Sequence, residues 1–118
     1  MKRRLTMIAV VVALVAVFVI PPAGASVLIK GVHTTAGYRW KPSAVTVALD
    51  TKVVWKAVTG SHTVTAYKGK WRKSTTLAQG TTTSFTFTAA GVYKFRCRFH
   101  STLVNGVCSG MCGKVVVG

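Results

Sequence analysis

The chain has 118 residues, half of them hydrophobic, and sixteen lysines and arginines against one acid, for a formal net charge of +15 at pH 7. The length allows one small domain, and a single carboxylate, Asp50, excludes catalysis by paired acids. So strong a positive charge points to an anionic partner or surface, bound in a salt-dependent way.

The chain begins with Lys2, Arg3 and Arg4, continues as an apolar run from Met7 to Ile20, and stops at Pro21-Pro22. Ala23-Gly24-Ala25 then fits a cleavage site before Ser26. The run is shorter than the roughly 20 apolar residues a membrane span needs. Residues 1–25 therefore read as a secretory signal peptide and residues 26–118 as the domain. The expected product is exported, periplasmic or secreted, monomeric, and without a transmembrane anchor after cleavage. Thirteen of the sixteen basic residues fall after the cleavage site, so with Asp50 the domain carries +12. Export and the lack of any recognised nucleic-acid module argue against nucleic acid as the partner.

Nothing after Ser26 has helical periodicity; the segments are rich in Val and Thr and alternate with period two. Val27 to Ile29 reads as a short first strand and His33 to Gly37 as a polar turn. Trp40 opens the next extended segment, with Pro42 holding Lys41 out of helical geometry. Val45, Val47 and Leu49 share a face expected to be buried. After a turn at Asp50-Thr51, Val53, Trp55 and Ala57 share another, with Lys52 and Lys56 opposite. Thr59 to Ser61 is a turn and His62 to Ala66 a strand. Lys68 to Ser74 reads as a basic loop around Gly69 and Trp71. In the strand from Thr82 to Thr88, Phe85 and Phe87 point inward and the hydroxyls outward. After Gly91, Tyr93, Phe95 and Cys97 take the buried face of a strand whose wet face is Lys94, Arg96 and Arg98. A polar loop follows, and Val115 to Val117 closes the sheet. Seven or eight short strands separated by regular turn signals predict an all-β sandwich.

The chemistry collects at the ends of these strands. Cys97 closes one strand, His100 follows three residues later, and Met111 precedes the last strand. His62 starts another strand and reaches the same end of a sandwich. A thiolate, imidazoles and a thioether are donors that suit copper, and two His with one Cys and a weak axial Met make the blue-copper electron-transfer set. A buried cysteine taken alone is an ordinary small hydrophobe; the four residues in this order are more specific.

From Trp40 to Val117 the chain resembles the cupredoxins, small blue copper proteins of the plastocyanin, pseudoazurin and amicyanin kind. The likeness rests on Pro42 with Val45-Thr46-Val47, Val53-Val54-Trp55, Ser61-His62-Thr63-Val64, Phe85-Thr86-Phe87, Gly91-Val92-Tyr93, Cys97-Arg98-Phe99-His100, and Met111 with Gly113 to Val117. It implies an eight-stranded Greek-key sandwich, one copper ion on His62, Cys97, His100 and Met111, and electron transfer without catalysis. Three features depart from the family pattern. Ten residues, Ser101 to Gly110, separate His100 from Met111, where the family usually has a few. Ala57 stands where the family often has Asn, so some of the usual hydrogen bonding around the site is either missing or supplied by Thr63. Cys108 and Cys112 are additional; in an exported protein they read as a disulfide that stiffens the long loop and holds Met111 toward the metal.

Other readings fit parts of this pattern. Cys97, His100, Cys108 and Cys112 have the spacing of a Cys3His zinc site, which leaves His62 and Met111 unused. A binuclear copper site at Cys108 and Cys112 needs a histidine where Val116 stands. A copper carrier or store, or a metal-free sandwich binding anionic surfaces, uses the same fold. His33 reads as a solvated loop residue. For an electron carrier, Arg96, Arg98, Lys68, Lys70, Arg72 and Lys73 are the candidate steering residues for an anionic redox partner, the anionic cell envelope being the other candidate for the charge.

Overall fold

The computed structural model describes residues 25–118; the expected signal peptide lies outside this range apart from Ala25. The described residues form nine strands and no helix: β1 (Ser26–Thr34), β2 (Gly37–Lys41), β3 (Ala44–Val47), β4 (Thr51–Ala57), β5 (His62–Tyr67), β6 (Ser74–Leu77), β7 (Thr82–Phe87), β8 (Gly91–Val104) and β9 (Val107–Val117). They make two sheets, ordered β2-β1-β4-β7 and β3-β9-β8-β5-β6. β1 pairs parallel with β4 and β3 with β9, while the other pairs are antiparallel.

The sandwich follows from the period-two pattern. On β4, Val53, Trp55 and Ala57 are fully buried while Lys52 and Lys56 are exposed. On β8, Tyr93, Phe95 and Cys97 face inward against Ile29, Val64, Trp55 and Val115. Full burial of a large apolar side chain contributes about 1.5–3 kcal/mol, so Trp40, Trp55, Phe87 and Phe95, all essentially inaccessible, supply much of the force that holds the sheets together.

Several sequence expectations are corrected. There are nine strands rather than seven or eight. The first runs to Thr34, so the expected polar turn at His33 is strand, paired His33 to Tyr38 across a hairpin whose loop is only Thr35-Ala36. Leu49 lies beyond β3 and is exposed. Phe85 is 36 % exposed although Phe87 on the same face is buried, because β7 is an edge strand and Phe85 sits at the rim against Trp71. Trp71, expected in a basic loop, enters the core, where its ring stacks with Trp55 at 6.0 Å and its indole N–H donates to the Lys94 carbonyl.

The expected polar loop is the largest difference. Ser101 to Gly110 continue β8 and β9 as a hairpin, with Val104 opposite Val107 and a turn at Asn105-Gly106. Between its two paired stretches, β8 carries four residues, Cys97 to His100, against a single residue of β9, Met111. Bulges of this kind bend a strand and re-aim its side chains. The bend is sharp: Cys108 and Cys112 lie 6.2 Å apart at Cα, where four steps of flat strand cover about 13 Å. The hairpin turns back over the outer face of the five-stranded sheet. Arg96 donates to the Ser101 hydroxyl, and the Lys68 side chain packs on Gly106 at the tip.

Candidate metal centre

His62 is the first residue of β5, after a turn at Thr59 to Ser61, and Cys97 is where β8 leaves its first register with β9. The β5–β8 pairing brings the two together, and the bulge returns His100 to the same point. The imidazole Nδ1 atoms of His62 and His100 are 3.2 Å apart, and Cys97 Sγ is 3.8 Å from the first and 3.4 Å from the second. Met111, alone opposite the bulge, is fully buried beside them, its methyl near Gly31.

Two of the donors are held from behind. His62 Nε2–H donates to the Thr59 carbonyl at 2.6 Å, which fixes the tautomer and leaves the Nδ1 lone pair facing His100 and Cys97. The backbone N–H of Thr63 donates to Cys97 Sγ at 3.3 Å, and the Thr63 hydroxyl accepts from the Arg98 N–H at 2.8 Å. Thr63 therefore does supply hydrogen bonding here, through its backbone to sulfur and through its side chain to the bulge. Ala57, in place of the family's Asn, is buried and bonded only through its backbone, to Thr81 and Gly80. Burial pushes the His62 pKa below its ordinary 6.5, opposed by the Thr59 bond and assisted by His100; burial lowers His100 too. Both rings are thus biased toward the neutral form that ligates metal.

The donor set fits a metal ion. The point equidistant from the two Nδ1 atoms and Sγ is roughly 2.0 Å from each, close to the ~2.0–2.3 Å bonds that imidazole and thiolate form with a first-row metal. His62, Cys97 and His100 are the one group of three such donors within 4.8 Å among the described residues. Two imidazoles and a thiolate with a thioether in reserve are the copper set. The zinc alternative loses two of its ligands, because Cys108 and Cys112 form a disulfide, leaving Cys97 as the free cysteine.

Two neighbours escaped the sequence reading. Tyr38 lies over both ligand rings, 4.2 Å from His100 and 5.2 Å from His62 between centroids, with His33 behind it at 4.9 Å. Gly31 brings the backbone of β1 against the site: a Cβ there would lie 2.7 Å from the His62 ring and 3.1 Å from the Met111 methyl. Both lie on β1 and β2 of the facing sheet, so no local pattern marked them.

The candidate steering residues do not form one patch. Arg98 is exposed next to the bulge, and Arg96 is half-buried under the hairpin. Lys68 and Lys70 lie at the far end of β5, against Gly106 and Gly91, and Arg72 follows them. Lys73 is engaged internally, its ammonium donating to the Thr83 hydroxyl and the Ser84 carbonyl.

Comparison with known proteins agrees with this geometry. A family model described as copper binding proteins, plastocyanin/azurin family, matches residues 27–118. The fold is similar to that of pseudoazurin from Methylobacterium extorquens (22 % identity, 79 % of this chain and 75 % of that one, TM-score 0.63). A purple cupredoxin from Nitrosopumilus maritimus is similar at 22 % identity over 80 % of this chain and 99 % of that one, TM-score 0.59. A Cu-containing nitrite reductase from Thermus scotoductus matches at 20 % identity and TM-score 0.63 over 88 % of this chain, but only 25 % of its own length is covered. A comparison with curated proteins finds no match.

Proposed function

This chain belongs to the plastocyanin/azurin family of copper-binding proteins, and on that premise we propose that it is an exported carrier of single electrons rather than an enzyme, with His62, Cys97, His100 and Met111 as its copper ligands. The observation that carries the reading is the convergence of three donor atoms, two imidazole nitrogens and one sulfur, two of them fixed by backbone hydrogen bonds. Copper held by such a set supplies a one-electron couple.

The chain's own part is to hold the donors still. The Thr59 carbonyl and the Thr63 N–H restrain His62 and Cys97 so that neither needs to move between oxidation states. Burial of His62, Cys97 and Met111 keeps water from that side. His100 is the ligand left partly exposed, beside Phe99 at 57 % exposure and Arg98. A redox partner approaching there meets a ligand edge, an apolar contact and a cation. The domain's +12 charge favours an anionic partner and speeds its approach at low salt.

Adding Cu(II) to the purified domain is the direct test. An intense blue to green thiolate-to-copper absorption is expected, one equivalent per chain, absent in Cys97→Ser. A colourless complex, or colour that survives without Cys97, would sink the reading. Colour retained through repeated reduction and reoxidation beside a competing chelator separates an electron carrier from a copper carrier.

A further inference from the structure

The outer face of the five-stranded sheet, away from the metal donors, holds an open cavity of about 240 Å³. Its polar lining is Ser43, Tyr67, Lys94 and Lys114, with Cys112 on one wall. Lys94 stands directly opposite Lys114 between β8 and β9, and Tyr67 directly opposite Lys94 between β5 and β8. The three side chains thus form a row across adjacent strands on one face.

Two ammonium groups facing each other across a ladder repel and destabilise the pair. In most proteins a nearby carboxylate offsets this. Here the single acid, Asp50, sits in the turn between β3 and β4, its N–H bonded to the Phe87 carbonyl at the edge of the other sheet. A third cation adds to the field, since the Arg96 guanidinium is close enough to Tyr67 to oppose the upward push of burial on its phenol. The general excess of lysine accounts for single exposed cations anywhere on the surface. It does not account for two in register across a concave site with hydroxyls at its edges.

We infer that this cavity binds an oxyanion of the phosphate class. Lys94 and Lys114 supply charge, and the Tyr67 and Ser43 hydroxyls donate hydrogen bonds. Ammonium groups only donate, so the lining is rich in donors and selects a ligand that is all acceptor; a phosphate group offers several such oxygens. The volume is below the ~300–1,000 Å³ of sites enclosing drug-sized molecules and suits a phosphate with a small substituent. Free phosphate and the headgroup of an anionic phospholipid share this chemistry. The site needs no copper, so its failure and that of the electron-carrier reading are distinguishable.

The test is titration of the copper-loaded protein with sodium phosphate at constant ionic strength, followed by calorimetry and by amide NMR shifts. Saturable one-to-one binding is expected, weakened at least ten-fold in Lys94→Gln/Lys114→Gln and measurably in Lys114→Gln alone, whose exposed position leaves the fold intact. Lys52→Gln/Lys56→Gln removes the same charge from the opposite sheet and is expected to change nothing. No binding beyond that of chloride, or equal weakening in both pairs, overturns the inference. Vesicles of phosphatidylglycerol with phosphatidylcholine distinguish the source. Recruitment that free phosphate reverses and Lys94→Gln/Lys114→Gln abolishes assigns the site to a lipid headgroup. Phosphate binding without recruitment assigns it to a soluble phosphate. Recruitment indifferent to both lysines, with no phosphate binding, refutes it.

Discussion

A methyl group at position 31 has no room. It would press on the His62 ring, which the Thr59 carbonyl pins from the other side, and on Met111 and Trp40. Met111 is flexible and gives way at little cost; the pinned ring does not. Gly31→Ala is therefore expected to lower stability by about 1–3 kcal/mol, the usual cost of overpacking, and to shift the copper absorption. Urea melts and the visible spectrum check this; an unchanged spectrum would show that the ring accommodates the methyl. The four candidate ligands were legible from residue type and order, and the structure brings His62, Cys97 and His100 together. Gly31 and Tyr38 were not legible, because their closeness to the site comes from the neighbouring sheet, and a glycine's neighbours leave no trace in local sequence.

At the scale of elements, the site is a consequence of the β8–β9 bulge. Four residues against one cannot lie flat, so the chain returns His100 to Cys97 and His62, which the β5–β8 pairing has already brought together, and β9 places Met111 opposite. The Cys108–Cys112 disulfide spans this bend. At Gly110, next to Met111, φ is +98°, and a Cβ would lie 2.5 Å from the His100 carbonyl oxygen. A glycine is required there for both conformation and space. Breaking the disulfide frees the hairpin without touching Cys97. The Cys108→Ser/Cys112→Ser variant is expected to lose about 2 kcal/mol, the loop-entropy value for so short a ring. It should keep a thiolate-copper colour while changing its hue, as Met111 loses its restraint. Comparison with Met111→Leu is the check: matching spectra support the bracing role, and a wild-type spectrum in the double variant refutes it.

The whole molecule is set by its charge. The domain carries +12 with one acid, so each added proton meets strong repulsion. His62 and His100 have pKa values pushed below 6.5 by burial. In the unfolded chain they take up protons from about 6.5 downward, before the folded rings do. For the metal-free protein their contribution to stability is complete above pH 6.5 and is lost as pH falls from there toward the folded values. Melting temperatures from about pH 8 to pH 5 should fall through this window. Added copper should delay the fall to lower pH, because bound rings exclude protons, and added salt should raise the curve at every pH by screening. A flat profile without metal would contradict the account.

Sequence alone determined the two-layer β architecture and the metal chemistry. Alternation along a strand states which face is apolar, and residue type states which metal its donors prefer. It also paired Cys108 with Cys112. Tertiary structure decided what lies between. Ser101 to Gly110, expected as a polar loop, form a hairpin whose β8–β9 pairing satisfies the backbone, although Asn105-Gly106 between Leu103-Val104 and Val107 is a local signal for its turn. Trp71 joined the core from a run of lysines, and Phe85 was left at the rim, because burial depends on sheet edges that no local pattern encodes. The facing of Lys94 by Lys114 is of the same kind. Register between strands distant in sequence is fixed by the packing of the whole sandwich, and with it the cavity on its outer face.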